Sequence, residues 1–146
     1  MNLTEPVTDN VSELLFKIIE FTKVRNKVLT ANLKNTKTKG YVPRDLAVEE
    51  FAEAMDVAIA EHIQNERIIF CDSDNIKYGP EGRFEAEVVA DLYAKELLET
   101  NSDEYMEFQI NKLSENAINK KLALELLREK DLFALKLSTD SVNSEE

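Results

Sequence analysis

At both ends of this chain apolar residues recur at alternating intervals of three and four, and that spacing constrains the fold more than any other feature. In the first block they fall at Val11, Leu14, Ile18, Phe21 and Val28, with Leu15, Ile19, Leu29 and Leu33 beside them. In the last block they fall at Met106, Ile110, Leu113, Ala117, Leu124 and Leu127, while Leu122, Leu126, Leu132 and Leu135 widen the face. Residues so spaced share one side of an α-helix and make the a/d seam of a coiled coil. Arg25 and Asn32 interrupt the first seam, and Lys120 fills one position of the second. The pattern predicts a first helix from Val11 to about Lys34 and a last one from about Glu104 to Leu137. A helix of ~30 residues is ~45 Å long at 1.5 Å per residue, longer than a small bundle is wide, so part of its stripe awaits another chain.

Between these blocks the periodicity predicts two more helices. The second runs from about Ala47 to Asn65, with Val48, Phe51, Met55, Ile59 and Ile63 on one face. The third runs from about Phe84 to Glu99, with Val88, Val89, Leu92, Tyr93 and Leu97 on its apolar side. Arg67 to Cys71 reads as a short strand or a buried helical end, and Asp72 to Gly82 is turn chemistry. Thr8 or Asp9 can cap the first helix and Ser102 or Asp103 the last, because a short side-chain oxygen accepts from unpaired first-turn amides. Gly40 is free to take a positive φ where the first helix gives way to a loop. The expected fold is mainly α: long first and last helices pairing as a coiled coil or bundle, a helical middle, and at most a short strand or hairpin. Its divisions are 1–45 (first helix and exit loop), 46–100 (helical middle), 101–137 (last helix) and 138–146 (acidic disordered tail). Residues 1–10 are expected to be loose.

Composition bounds function mostly by exclusion. A chain of 146 residues is one domain's worth of core. Its net charge of −11 argues against non-specific nucleic-acid binding, which needs cationic surface to displace counterions. The charge is uneven: residues 1–44 carry eight basic and four acidic side chains, and 45–146 carry ten and twenty-five. Such asymmetry lets a basic part of one subunit face an acidic neighbour. No apolar run approaches the ~20 residues that span a bilayer, so no membrane insertion is expected. Met1 to Asn10 lacks a basic and then apolar leader, so no cleavable signal peptide is expected either.

No catalytic, metal or cofactor site is expected. Asp72-Ser73-Asp74 begins like a calcium loop, but Ile76, Lys77 and Arg83 stand where that loop needs an oxygen ligand, a glycine and a glutamate. His62 is the only histidine, so no Cys/His cluster can form, and it reads as a surface or boundary residue. The single cysteine, Cys71, excludes an intrachain disulfide and reads as a small buried hydrophobe. Gly79-Pro80-Glu81-Gly82 lacks the Gly-Lys-Ser/Thr ending of a phosphate loop.

The segment Ala31-Asn32-Leu33-Lys34-Asn35, followed by Thr38-Lys39-Gly40-Tyr41 and Arg44-Asp45, resembles the signature of the bacterial flagellar axial proteins. That signature reads roughly Asn-Asn-Ile-Ala-Asn-x-x-Thr-Pro-Gly-Tyr. Asn32, Asn35, Thr38, Gly40 and Tyr41 match it, while Lys39 replaces the proline. Leu113-Ser114-Glu115-Asn116-Ala117 is similar to the Leu-Ala-Glu-Asn-Ala run of rod proteins, and Leu126-Leu127 lies where they carry a Leu pair. The usual Asp-Gly-Asn motif before the last helix is reduced to Asn101-Ser102-Asp103, and residues 55–100 match nothing in the family.

The resemblance, closest to rod proteins of the FlgB type, implies a structural subunit of the flagellar basal-body rod, specifically its proximal part. Such a subunit polymerises through its terminal helices into a hollow drive shaft. The implied partners are copies of itself, other rod and basal-body subunits, and the type III export apparatus. The implied location is the periplasmic rod of the basal body, reached without a cleaved signal. The implied assembly residues are Leu14, Ile18, Phe21, Val28, Asn32, Asn35, Gly40, Tyr41, Ile110, Leu113, Asn116, Ala117, Leu124 and Leu127. On this view Asn32→Ala with Asn35→Ala impairs assembly more than monomer folding. A buried Asn on a heptad seam also fixes register at some cost in stability. The alternative reading is a soluble acidic helical bundle, an adaptor or chaperone for a basic or helical protein partner, which explains the same acidity and helices.

Overall fold

The computed structural model describes residues 9–79 and 84–144, with side chains described as far as 140. The fold is mainly α, with four helices and two short two-stranded ladders among the described residues. Helix α1 spans Asn10–Lys34, and the Asp9 carboxylate caps it by accepting from the Ser12 amide at 2.8 Å. Strand β1 (Arg44–Leu46) follows the exit loop, and helix α2 spans Val48–Asn65. Strands β2 (Ile76–Lys77) and β3 (Glu85–Ala86) pair antiparallel, while β4 (Val88–Ala90) returns to pair antiparallel with β1. Helix α3 (Leu92–Thr100) turns at Asn101 into helix α4, Ser102–Ser144.

Helices α1 and α4 run antiparallel. Near one end Asn32 meets Gln109, in the middle Asn116 meets Thr22, and at the other end Lys130 pairs with Asp9. Forty-three residues make α4 ~65 Å long. Its last stretch, beyond Lys130, therefore overhangs the start of α1, and residues 131–140 are all exposed.

The main core lies between α1, α2 and the strands. Phe21 stacks on Phe51 of α2 with ring centroids 4.0 Å apart, and Leu46, Met55, Ile76 and Tyr78 close around them. Leu14, Ile18, Val24 and Val28 pack against the same cluster. A smaller cluster of Leu15, Ile19 and Ala123 joins α1 to α4, with Leu127 against it. Ala94, Leu97 and Tyr105 make a third where α3 folds onto α4.

Several expectations are corrected. Leu14, Phe21 and Val28 of the expected stripe pack with α2 and the strands, and Ile18 packs against both that core and the α1–α4 cluster. The α1–α4 contact instead uses the next positions round each helix: Leu15, Ile19, Thr22, Arg25, Leu29 and Asn32 against Tyr105, Gln109, Lys112, Asn116 and Ala123. The expected α4 seam is accordingly turned about 100° away, one residue's rotation. Met106, Ile110 and Leu124 are 37, 48 and 45% exposed.

The expected third helix begins later. Its first part is β3 and β4, because β-branched Val88 and Val89 pair with β1 and Asp91 caps the shorter helix through the Ala94 amide at 3.0 Å. Asn101, not Ser102 or Asp103, accepts from the first turn of α4. Residues 138–144 continue α4 where disorder was expected, since Ser138–Ser144 holds no Gly or Pro to stop it. Arg67–Cys71 is neither strand nor helix, and Cys71 is exposed. On α2, Ile59 and Ile63 are exposed, and the small residues Ala54 and Ala58 take the buried face. Thr8, the loose residues before it, and residues 80–83 of the expected turn lie outside the described residues.

The rotated seam is testable. Phe21→Ala should cost about 3–5 kcal/mol of stability in urea unfolding. Ile110→Ala, on the exposed stripe, should stay within about 0.5 kcal/mol of the parent.

Candidate functional site

The surface between α1 and α4 is unusually polar for a helix seam, and Asn32 sits in it with the exit loop beside it. Asn32 is fully buried. Its Oδ1 accepts from the Tyr41 hydroxyl at 2.8 Å and the Arg44 amide at 3.0 Å. Its Nδ2 donates to the Arg44 carbonyl at 2.7 Å and to Gln109 Oε1 at 3.0 Å. All four hydrogen-bonding positions of the amide are filled. The Asn32 backbone carbonyl in turn accepts from the Tyr105 hydroxyl at 2.9 Å. Burial, with Tyr41 and Asp91 nearby, pushes Tyr105 up to about 12, so it remains a donor across neutral pH. One side chain thus ties α1, the exit loop, β1 and α4 together.

The loop between is shaped by Asn35. As the helix C-cap its Nδ2 donates to the Ala31 carbonyl at 2.7 Å, and its Oδ1 accepts from the Thr38 hydroxyl at 2.9 Å. Gly40 then takes φ +78°, a left-handed conformation that side chains disfavour, and turns Tyr41 back toward Asn32. Further along the seam Asn116 donates to the Thr22 carbonyl at 2.7 Å, and the Thr22 hydroxyl donates to the Ile19 carbonyl at 2.9 Å.

Between these two amide sites lies a chain of four charges alternating in sign. Arg25 donates from Nε and Nη2 to the two carboxylate oxygens of Asp45 at 3.0 and 3.1 Å. Lys112 bridges Asp45 at 2.9 Å and Asp91 at 2.8 Å, and stands 4.5 Å over the Phe108 ring. These residues come from α1, β1, α4 and the cap of α3. Burial alone would raise the Asp45 pKa, but hydrogen bonds from Arg25 and Lys112 and their positive charges outweigh it and hold the carboxyl below its ordinary value. Breaking such a group leaves an uncompensated buried charge.

The structure therefore brings Asn32, Asn35, Gly40 and Tyr41 to one junction, while Asn116 lies further along the seam at Thr22 and Leu127 is half-buried on it. Leu14, Phe21 and Val28 belong to the main core and Ile18 borders both that core and the α1–α4 cluster, while Ile110, Ala117 and Leu124 are exposed and Leu113 is half-buried. Sequence reading passed over Gln109, Lys112 and Asp91, saw Arg25 only as an interruption of the first seam, and noted Asp45 only as a motif match. The signal for them was a polar heptad, Tyr105, Gln109, Lys112 and Asn116, one position before the apolar one.

His62 contacts Asn10 at 3.2 Å and joins the end of α2 to the start of α1. Asp72 accepts from the Tyr78 amide at 2.8 Å, and Asn75 is held by Glu50, so the segment is a polar turn anchored on α2. Among the described residues no group of His, Cys, Asp and Glu could hold a metal ion, and no helix is long and apolar enough to cross a membrane. No family model, no curated protein and no solved structure matches the chain.

Two outcomes follow from this geometry. Asn32→Ala should destabilise the isolated protein by more than about 2 kcal/mol, since it orphans several buried groups. Asn35→Ala, at a half-exposed cap, should cost about 1 kcal/mol or less. Chemical denaturation of the two single variants decides whether Asn32 acts first on the fold. Because the folded pKa of Asp45 is depressed, its contribution is complete above the ordinary aspartate value of about 3.9 and is lost as pH falls through the lower folded value. Asp45→Asn should cost about 3–5 kcal/mol at pH 7 and flatten the acid limb of the stability profile below about pH 4.

Proposed function

We propose that this chain is a structural subunit of the flagellar basal-body rod, of its proximal part, and that it works by assembly, not catalysis. The observation that carries the reading is the junction just described. The residues that resemble the axial signature, Asn32, Asn35, Thr38, Gly40 and Tyr41, form one hydrogen-bonded unit where the first and last helices meet. A shaft subunit must transmit torque without slippage between its helices. A seam keyed by a saturated Asn and an alternating charge chain specifies one register, because sliding either helix by a turn would leave those groups unpaired.

The outer surface of α4 supports the same reading. Met106, Ile110, Leu124, Leu132, Phe133, Leu135 and Leu137 are exposed along it, an apolar supply well beyond what a monomer needs. Neighbouring copies and other rod subunits are the proposed partners, with delivery through the type III export apparatus.

A second reading, an acidic helical adaptor, draws on one observation. A groove of about 310 Å³ between α1, α2 and α4, bordered by Met55, Leu122 and Leu126, has the apolar lining that suits an amphipathic helix.

In-frame deletion in the source organism tests the first reading. The expected outcome is loss of swimming and of the rod in electron cryotomograms, with the membrane ring and export gate still present. Intact rods and normal swimming would overturn it.

A further inference from the structure

On the side of the α1–α4 seam away from α2 lies a trough of about 390 Å³. Ala117 and Leu124 give it an apolar floor, and Lys120, Lys121 and Arg128 stand along it against one acid, Glu125. Helix α2 is its complement. It carries five carboxylates and no lysine or arginine, and Glu49, Glu53, Asp56 and Ala60 form one exposed stripe at helical spacing. None of the three basic residues, and none of Glu49, Glu53 and Asp56, is ion-paired within the chain among the described residues. The lengths agree as well: Glu49 to Asp56 covers ~10 Å of helix axis and Lys120 to Arg128 ~12 Å.

We infer that α2 of one copy docks along the Lys120–Arg128 trough of the next. The two surfaces cannot meet within one chain, because α2 is held on the opposite flank of α1 by the Phe21–Phe51 stack. Where the pairing is not reciprocated between the same two copies it is heterologous, head to tail, and its repetition gives an open array or a ring. Ala60 at the end of the stripe lets the helix approach closely, while Val57, Ile59 and Ile63, exposed on either side, supply apolar contact at the rim. This deepens the rod reading by naming which surfaces of two copies meet, and it rests on that reading for its biological setting.

The test uses the full chain in a Cys71→Ser background, with Glu53→Cys in one preparation and Lys121→Cys in another. Circular dichroism and thermal unfolding establish that both remain folded. Mixed under oxidising conditions at low salt, they should give the 53–121 disulfide in excess of either homodimer. Its yield should fall on the order of tenfold in 1 M salt, where the Debye length is about 3 Å. Adding Lys120→Glu and Arg128→Glu to the Lys121→Cys chain should abolish the product. Adding Glu49→Lys and Asp56→Lys to the partner should then restore it. Predominant 121–121 disulfides, which report a symmetric contact through α4, or a mixed yield indifferent to charge, would overturn the inference. The deletion strain is scored separately: a non-motile strain with no 53–121 product sinks this contact and leaves the rod reading standing. A motile strain with the product does the reverse.

Discussion

The amide of Asn32 sits at the one place where four parts of the chain converge, and the geometry of the rest follows from satisfying it. A buried amide with two donors and two acceptor positions costs several kcal/mol if left unmatched. Here every position is filled: the exit loop supplies the Tyr41 hydroxyl, β1 both Arg44 backbone groups, and α4 the Gln109 carbonyl. Each donor or acceptor fixes the distance and orientation of its own element relative to α1. Seven residues earlier, Arg25 makes a second fixed point by gripping Asp45, and Lys112 carries that constraint on to Asp91 and so to α3. Hydrophobic contact alone would tolerate sliding along so long a helix pair; these groups do not.

That division of labour explains where the apolar residues went. The aromatic stack of Phe21 and Phe51, with Met55, Ile76 and Tyr78, is built by α1, α2 and the strands, and α4 only borders it across a groove. α4 attaches chiefly through polar groups and the small Leu15–Ile19–Ala123 cluster. Its remaining apolar stripes are left outside, where a neighbour can reach them. A helix attached by register-specific bonds and carrying unused apolar surface is suited to being one member of a larger coil.

The helices themselves were legible because long periodic runs without Gly or Pro leave few alternatives, and the α1 boundaries at Asp9 and Lys34 follow from ordinary capping chemistry, while α2 ends at Asn65 with Glu66 in a left-handed conformation. The rotation of the helices was not. Both α1 and α4 carry adjacent apolar stripes, Leu14–Ile18–Phe21 beside Leu15–Ile19 in the first case, and periodicity cannot say which stripe meets which partner. The decision came from polar residues, whose pairing is a long-range property: Gln109 lies seventy-seven positions from Asn32. The same limit hid β4. Val88, Val89, Leu92 and Tyr93 fit a helical face, and only the presence of Arg44–Leu46 as a strand partner makes the first two extended.

The candidate site was half legible for a related reason. Asn32, Asn35, Gly40 and Tyr41 stand close together in sequence, so their shared turn could be seen as a unit, and Asn116 came with its own short run. What could not be seen is that Asn32 spends its whole hydrogen-bonding capacity inside the subunit. On the proposed rod reading, the residues that resemble the axial signature need not form the assembly surface. A residue that sets the angle and register of two helices would control such assembly as firmly as one that touches the neighbour, because the surfaces on either side of the seam are presented only in that register. Buried Asn32 and Asp45 would then govern assembly from within, and the outward-facing stripes of α2 and α4 would make the contact.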